Sequence, residues 1–211
     1  MSQSIESQLH RLQRSLERFY ALERAPSVRD FFRLGAANTR EQLLVRESTE
    51  GLHVAIQFPE DRIPEEPMRP SDDWAQLIEA VSHFLFLAER ARTELPTTQL
   101  ELELQAEVDK FVVLLPTAGA PEPCVAAAGP ASVRLARTVT YFELHRSLYD
   151  DVSFLHAAES PEGVRYRLAN QLAAQYVSRL LRSGSPELWR KRLRAFYRAG
   201  QTEKISLVLA A

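Results

Sequence analysis

Cysteine occurs once in the 211 residues, at Cys124. One cysteine excludes an internal disulfide and any cysteine-based zinc cluster, and it fits a reducing compartment. No histidine lies near Cys124 in sequence, so a nucleophilic role there is not favoured. Glycine is scarce as well: the seven are scattered, and neither G-x-G-x-x-G, G-x-x-x-x-G-K-[ST] nor G-x-S-x-G occurs. The chain therefore writes no glycine-rich phosphate cradle and no nucleophile elbow. No apolar run approaches the roughly 18 residues that a membrane-spanning helix needs. The opening MSQSIESQLHRLQRSLERFY has no apolar stretch of the kind that marks a signal peptide. Cytoplasm is the expected compartment, and no membrane partner is expected. Lysine is rare, three against twenty-three arginines, a bacterial-like bias that fits genome base composition more than a function.

Enough apolar residues remain to build a core: 45% of the chain is hydrophobic and 26% charged, at a formal net charge of −2. That composition is globular rather than disordered, and its length suits one medium domain over residues 1–211. Ile5, Leu9, Leu12, Leu16 and Phe19 step by four and three, which marks one stripe of a helix. Ser27 and Asp30 resemble a capping box and Gly35 a stop, so a second short helix is expected between them.

The period then changes to two. Leu43 and Val45, then Leu52, Val54, Ile56 and Phe58, alternate around a Thr49-Glu50-Gly51 turn. One β-hairpin is expected over about residues 42–58, with the last four side chains on one apolar side. A lone hairpin is marginal in water, so it must lie on helices, find more strands or pair with another chain. Residues 1–58 thus hold N-terminal helices plus hairpin, and residues 59–70, with four prolines, read as an extended connector.

From 71 to 211 the pattern is a helical core, broken by a Pro/Ala-rich loop at 116–130. Ser71 followed by two aspartates opens a helix to about Arg92. Thr98 and Glu101 form a capping box for a helix to Leu115. The stretch from Ser132 to His156 reads as one long or two shorter helices. Ser160-Pro161-Glu162 and Ser185-Pro186-Glu187 repeat one start signal, and Gly184 and Gly200 read as stops. The fold class is mainly α: a multi-helix domain with a single β-hairpin.

Two features ask for a functional account. Within LIEAVSHFLFLAE, Glu79 and His83 share one face of a helix that is otherwise apolar nearly all round. Burying either alone would be costly, so both are expected to be buried and linked to another helix, through Arg165, Arg167 or Asp109. Asn170 borders the same tightly apolar stretch as those two arginines. A metal, if one binds, would sit on Glu79 and His83, and the other ligands would come from Glu101, Glu103, Glu107, Asp109, Glu143, His145 or His156. Each of these has an ordinary reading, with Glu103 and Glu107 on a solvated face. H-E-x-x-H is absent, and the single E-x-x-H, Glu50 to His53, lies on the hairpin. No cofactor is expected.

The second feature is charge. Residues 160–211 carry ten Lys or Arg against three acids. Trp189, Leu193 and Phe196 form the apolar stripe of the last full helix, leaving Arg190, Lys191, Arg194 and Arg198 as candidate basic surface. The primary expectation is a non-catalytic interaction or regulatory protein that binds a protein partner or a second copy of itself. The alternatives are a small helical enzyme or metal protein centred on Glu79 and His83, and a nucleic-acid binder using the basic C-terminal helices.

Overall fold

The computed structural model describes residues 5–23, 25–37, 41–49, 51–64, 71–115, 141–182 and 186–210. The Pro/Ala-rich loop at 116–130, most of the proline connector, and Gly184 and Ser185 lie outside them. Among the described residues the chain is a helical assembly carrying a small sheet, and no helix is long and apolar enough to cross a membrane.

Helix α1 (Ile5–Tyr20) buries Leu9, Leu12, Leu16 and Phe19 along its stripe and packs on α3 (Asp72–Arg92). Its polar residues are used too. Gln13 bonds the carbonyl of Pro26 at 2.9 Å and accepts from Val28 N at 2.9 Å, so the chain after α1 is stitched back to it. That contact replaces the expected cap. Ser27 makes no side-chain cap bond, and α2 is a single turn, Val28–Phe31.

The helix expected to run to Gly35 becomes strand β1 (Phe32–Gly35), paired parallel to the end of β3 (Gly51–Pro59). A four-residue helix has little stability of its own. The edge of β3 offers backbone partners, and the Phe32 and Phe58 rings meet at 5.8 Å. Strand β2 (Gln42–Ser48) pairs antiparallel with β3, giving the order β1-β3-β2. Ile56 and Phe58 are fully buried and Val54 partly, all on the side facing the helices; the side chain of Leu52 lies outside the described set.

Helix α3 is the centre, touching α1, both hairpin strands and α4 (Gln99–Leu114). The Thr98–Glu101 capping box starts α4 with both reciprocal bonds in place. The chain resumes with α5 (Tyr141–His145), extended by one π-helical turn over Arg146–Asp150. Of the helix or helices expected over Ser132–His156, residues 132–140 lie outside the described residues and 151–156 are not helical. The carbonyl of His156 accepts from Arg167 at 3.2 Å, and that of Ala157 from the Ser160 hydroxyl at 2.9 Å. The segment is thus pinned to the start of α6 (Pro161–Arg182). Gly163 permits this approach, because a Cβ there would stand 1.8 Å from the Ala157 carbonyl oxygen.

Helices α7 (Pro186–Arg198) and α8 (Gln201–Leu209) complete the fold, with Gly200 as the N-cap of α8 rather than a simple stop. Trp189, Leu193 and Phe196 point inward. Two of the basic residues beside them hold backbone. Arg194 donates to Phe19 O at 2.6 Å, and Arg198 to Tyr20 O at 2.9 Å. Both guanidiniums close the carbonyl end of α1, where the helix dipole favours a cation. Replacing both by alanine should lower stability by about 1–3 kcal/mol, read as a drop in thermal midpoint. An unchanged midpoint would return these arginines to the solvent-facing role the sequence suggested. Arg190 makes no hydrogen bond among the described residues, and Lys191 is exposed.

Candidate functional site

Helix α4 carries two polar stripes. Glu103, Glu107 and Lys110 fall at i, i+4 and i+7, while Glu101, Gln105 and Asp109 are displaced by two residues. At 100° per residue that is about 200° round the helix, the opposite side. Because α4 is packed against α3 on one flank and α6 on another, both stripes are enclosed. For the same reason Glu103 and Glu107 are not on a solvated face.

The stripe containing Asp109 serves the core. Its carboxylate accepts from Tyr20 at 2.5 Å, Ser82 at 2.6 Å and Gln105 at 2.9 Å, and Gln105 in turn accepts from Lys204 at 2.5 Å. Asp109 therefore does not meet Glu79 or His83. Lys204 is fully buried, its ammonium between the rings of Phe86 and Phe196 at 4.7 and 4.5 Å. Burial pulls its pKa down to about 7, against the opposing pull of Asp109 and with Arg90 adding to the fall. A lysine depressed in the folded state and ordinary, near 10.5, when unfolded makes unfolding take up a proton between those values. Stability should therefore rise with pH from about 7 towards 10.5, through this group. Lys204→Met should flatten that rise in a series of denaturation curves; an unaltered slope would assign it elsewhere.

The other stripe faces the carboxylate and imidazole of α3. Lys110 Nζ lies 2.7 Å from Glu79 Oε2 and 2.9 Å from Glu107 Oε1, one cation shared by two carboxylates. His83 is buried, with its Nδ1 3.7 Å from Glu41 Oε1 and its Nε2 3.7 Å from Glu103 Oε2. Both separations exceed a hydrogen bond. Accordingly Glu41 Oε1 and His83 Nε2 are buried atoms with no hydrogen-bond partner among the described residues, as are Arg165 Nε, 3.8 Å from Glu103, and Gln76 Oε1.

Glu41, at the entry to β2, was not among the sequence candidates. Nothing local marks it, because only the docking of the sheet on α3 brings it to His83. Arg165 reaches the cluster through Glu103. Arg167 and Asn170 instead hold backbone, the first at Gly163 and His156, the second at Leu148 O. His145 lies apart, 2.8 Å from the Ser178 hydroxyl and 3.8 Å from Asp150. This resembles a nucleophile–base–orienter set, but Nε2 is also 3.2 Å from Ala174 O, and the clefts described below do not open on it. It ties α5 to α6.

Among the described residues, carboxylates outnumber fixed cations at the Glu79–His83 site. Glu41, Glu79, Glu103 and Glu107 are four carboxylates, and Lys110 and Arg165 are two fixed cations. Burial raises the pKa of Glu41 and Glu107, and lifts Glu103 to about 7 against the pull of His83. Burial would lower His83, but the facing Glu41, with Glu103 and Glu79, outweighs it and holds the imidazole at about 9. The cluster thus draws positive charge to its centre. The ligand atoms of Glu41, Glu79 and His83 all lie within 4.8 Å of one another.

One side is open. Glu41, Gln76, Glu79, Glu107 and Lys110 form a wall of a cleft of about 250 Å³, and Val152–His156 with Tyr166 form the facing wall. A second cleft of about 200 Å³ shares Gln76, Glu79, Glu107 and Lys110 with it. The His156 and Tyr166 rings stack at 5.3 Å, giving the far wall a rigid aromatic surface. The chain matches no protein-family model, no curated protein and no solved structure. The chemistry of the site is therefore read from its own atoms.

Proposed function

We propose that this protein binds a divalent transition-metal ion through Glu41, Glu79 and His83, and uses it on a small molecule held in the adjoining cleft. The observation that carries the reading is the convergence of two carboxylates and an imidazole, their ligand atoms all within 4.8 Å of one another, with Glu41 Oε1 buried and without a hydrogen bond among the described residues. First-row divalent ions hold such ligands at about 2.0–2.2 Å, so donors around one ion stand roughly 3–4 Å apart. The 3.7 Å between Glu41 and His83 lies within that range. Nitrogen and oxygen donors without thiolate suit zinc, manganese or iron(II).

Glu103 fits the supporting role. Bound through Nδ1, His83 would turn Nε2–H towards Glu103, the carboxylate–histidine–metal arrangement that fixes tautomer and ring orientation. Three protein donors with a cleft on one side leave a coordination position for water or substrate, which supports a reactive centre over a closed structural one. The expectation of a protein-partner or nucleic-acid face drew on Arg190, Lys191, Arg194 and Arg198, and two of the four, Arg194 and Arg198, donate to backbone carbonyls at the end of α1.

Elemental analysis after purification without chelator, followed by calorimetric titration of zinc and manganese into stripped protein, tests the reading. One ion per chain is expected, lost in Glu79→Gln/His83→Ala. Binding that persists in that variant would overturn it.

A further inference from the structure

Where α6, α7 and α8 meet, a groove of about 600 Å³ is lined by Tyr176, Leu180 and Leu207 together with Arg179, Arg182 and Arg192. We propose that it binds a single-chain anionic amphiphile, a fatty carboxylate with its head among the arginines and its chain on the apolar floor. Among the described residues no acidic side chain lines the groove. Arg179 spends one donor on Ala210 O at 3.0 Å, which fixes its fork across the groove. Arg182 and Arg192 have no carboxylate partner among the described residues, and both are exposed. Three guanidiniums around one opening, with no counter-ion among the described residues, form a receptor for a carboxylate, which each can meet in bidentate fashion.

The floor explains the second half of the ligand. Tyr176 is buried and stacked on Phe196 at 4.2 Å, so it presents a fixed apolar surface, while Leu207 stands 37% exposed at the rim. An apolar leucine held beside uncompensated cations suits a molecule that is apolar at one end and anionic at the other. The volume lies within the range of about 300–1,000 Å³ usual for small-ligand sites. The wider field agrees: residues 160–211 carry ten Lys or Arg against three acids in a chain of net charge −2, so anions are drawn to this end. No groove residue lines the metal cleft, so this inference stands apart from the proposed function.

The test titrates dodecanoate, below its micelle concentration, into the full chain by calorimetry, with acetate and dodecyltrimethylammonium as comparison probes. Saturable binding of one dodecanoate per chain is expected, with neither comparison probe bound. Arg182→Gln/Arg192→Gln should weaken dodecanoate by about tenfold or more while leaving the thermal midpoint unchanged, because both side chains are exposed. Leu207→Glu should abolish binding. The proposal is overturned if the cationic amphiphile binds equally well, or if the double variant keeps full affinity. It is equally overturned if anionic vesicles or an acidic peptide bind where monomeric dodecanoate does not.

Discussion

His83→Ala should weaken zinc or manganese binding by more than about 100-fold, beyond the range of about 10–100-fold that loss of a supporting residue costs. Glu103→Gln should fall inside that lower range, because Glu103 faces the far nitrogen of the ring at 3.7 Å, where it would support the ring once His83 holds the ion. The graded pair separates a ligand from its support. Circular dichroism on each stripped variant guards the comparison, since His83 also neutralises buried carboxylates. Equal losses in both variants would make Glu103 a ligand. No loss in His83→Ala would remove the metal from this site altogether.

Lys110→Met should be the most destabilising single change in the cluster. Its ammonium is the shared partner of Glu79 and Glu107, and all three side chains are largely buried. Burial works against its charge, but Glu107 and Glu79 more than offset that and hold its pKa above the ordinary lysine value. Removing one partner of a buried ionic group leaves the others uncompensated, at a cost of about 3–5 kcal/mol. For a chain of this size that corresponds to a fall in thermal midpoint of about 10 °C. Removing the whole group in Glu79→Gln/Glu107→Gln/Lys110→Met should recover much of the loss, because no unpaired charge then remains. A single variant as stable as the parent would mean that water, not Lys110, satisfies these carboxylates.

The helices were legible in the chain because their signals are local. Ser71, Thr98 with Glu101, and Ser160-Pro161-Glu162 each announce a start within one turn, and α1 shows its buried stripe in five residues. The hairpin was legible for the same reason, through its period of two. What the chain did not disclose depends on distant partners. Residues 32–35 became a strand because the edge of β3 was there to pair with, and 151–156 lie outside the helix, with the His156 carbonyl taken by Arg167.

The site divides along the same line. Glu79 and His83 stand out because a polar pair on an apolar helix needs an explanation, and Arg165 followed from the need for a cation nearby. Glu103, Glu107 and Lys110 carried a spacing of four and three that could have marked them as one stripe, but the abundance of acids on α4 suggested solvent instead. Glu41 had no signal at all. The bonds of Arg194 and Arg198 to the end of α1 had no local signal, because a row of arginines looks identical in sequence whether it faces water or a helix end.

The most direct measurement is anomalous diffraction from crystals of the stripped protein soaked in zinc, collected on either side of the zinc absorption edge. One strong peak is expected among Glu41, Glu79 and His83, about 2.0–2.2 Å from a ring nitrogen and from an oxygen of each carboxylate. A well-occupied peak elsewhere, or none at a zinc concentration that saturates binding in solution, would contradict it.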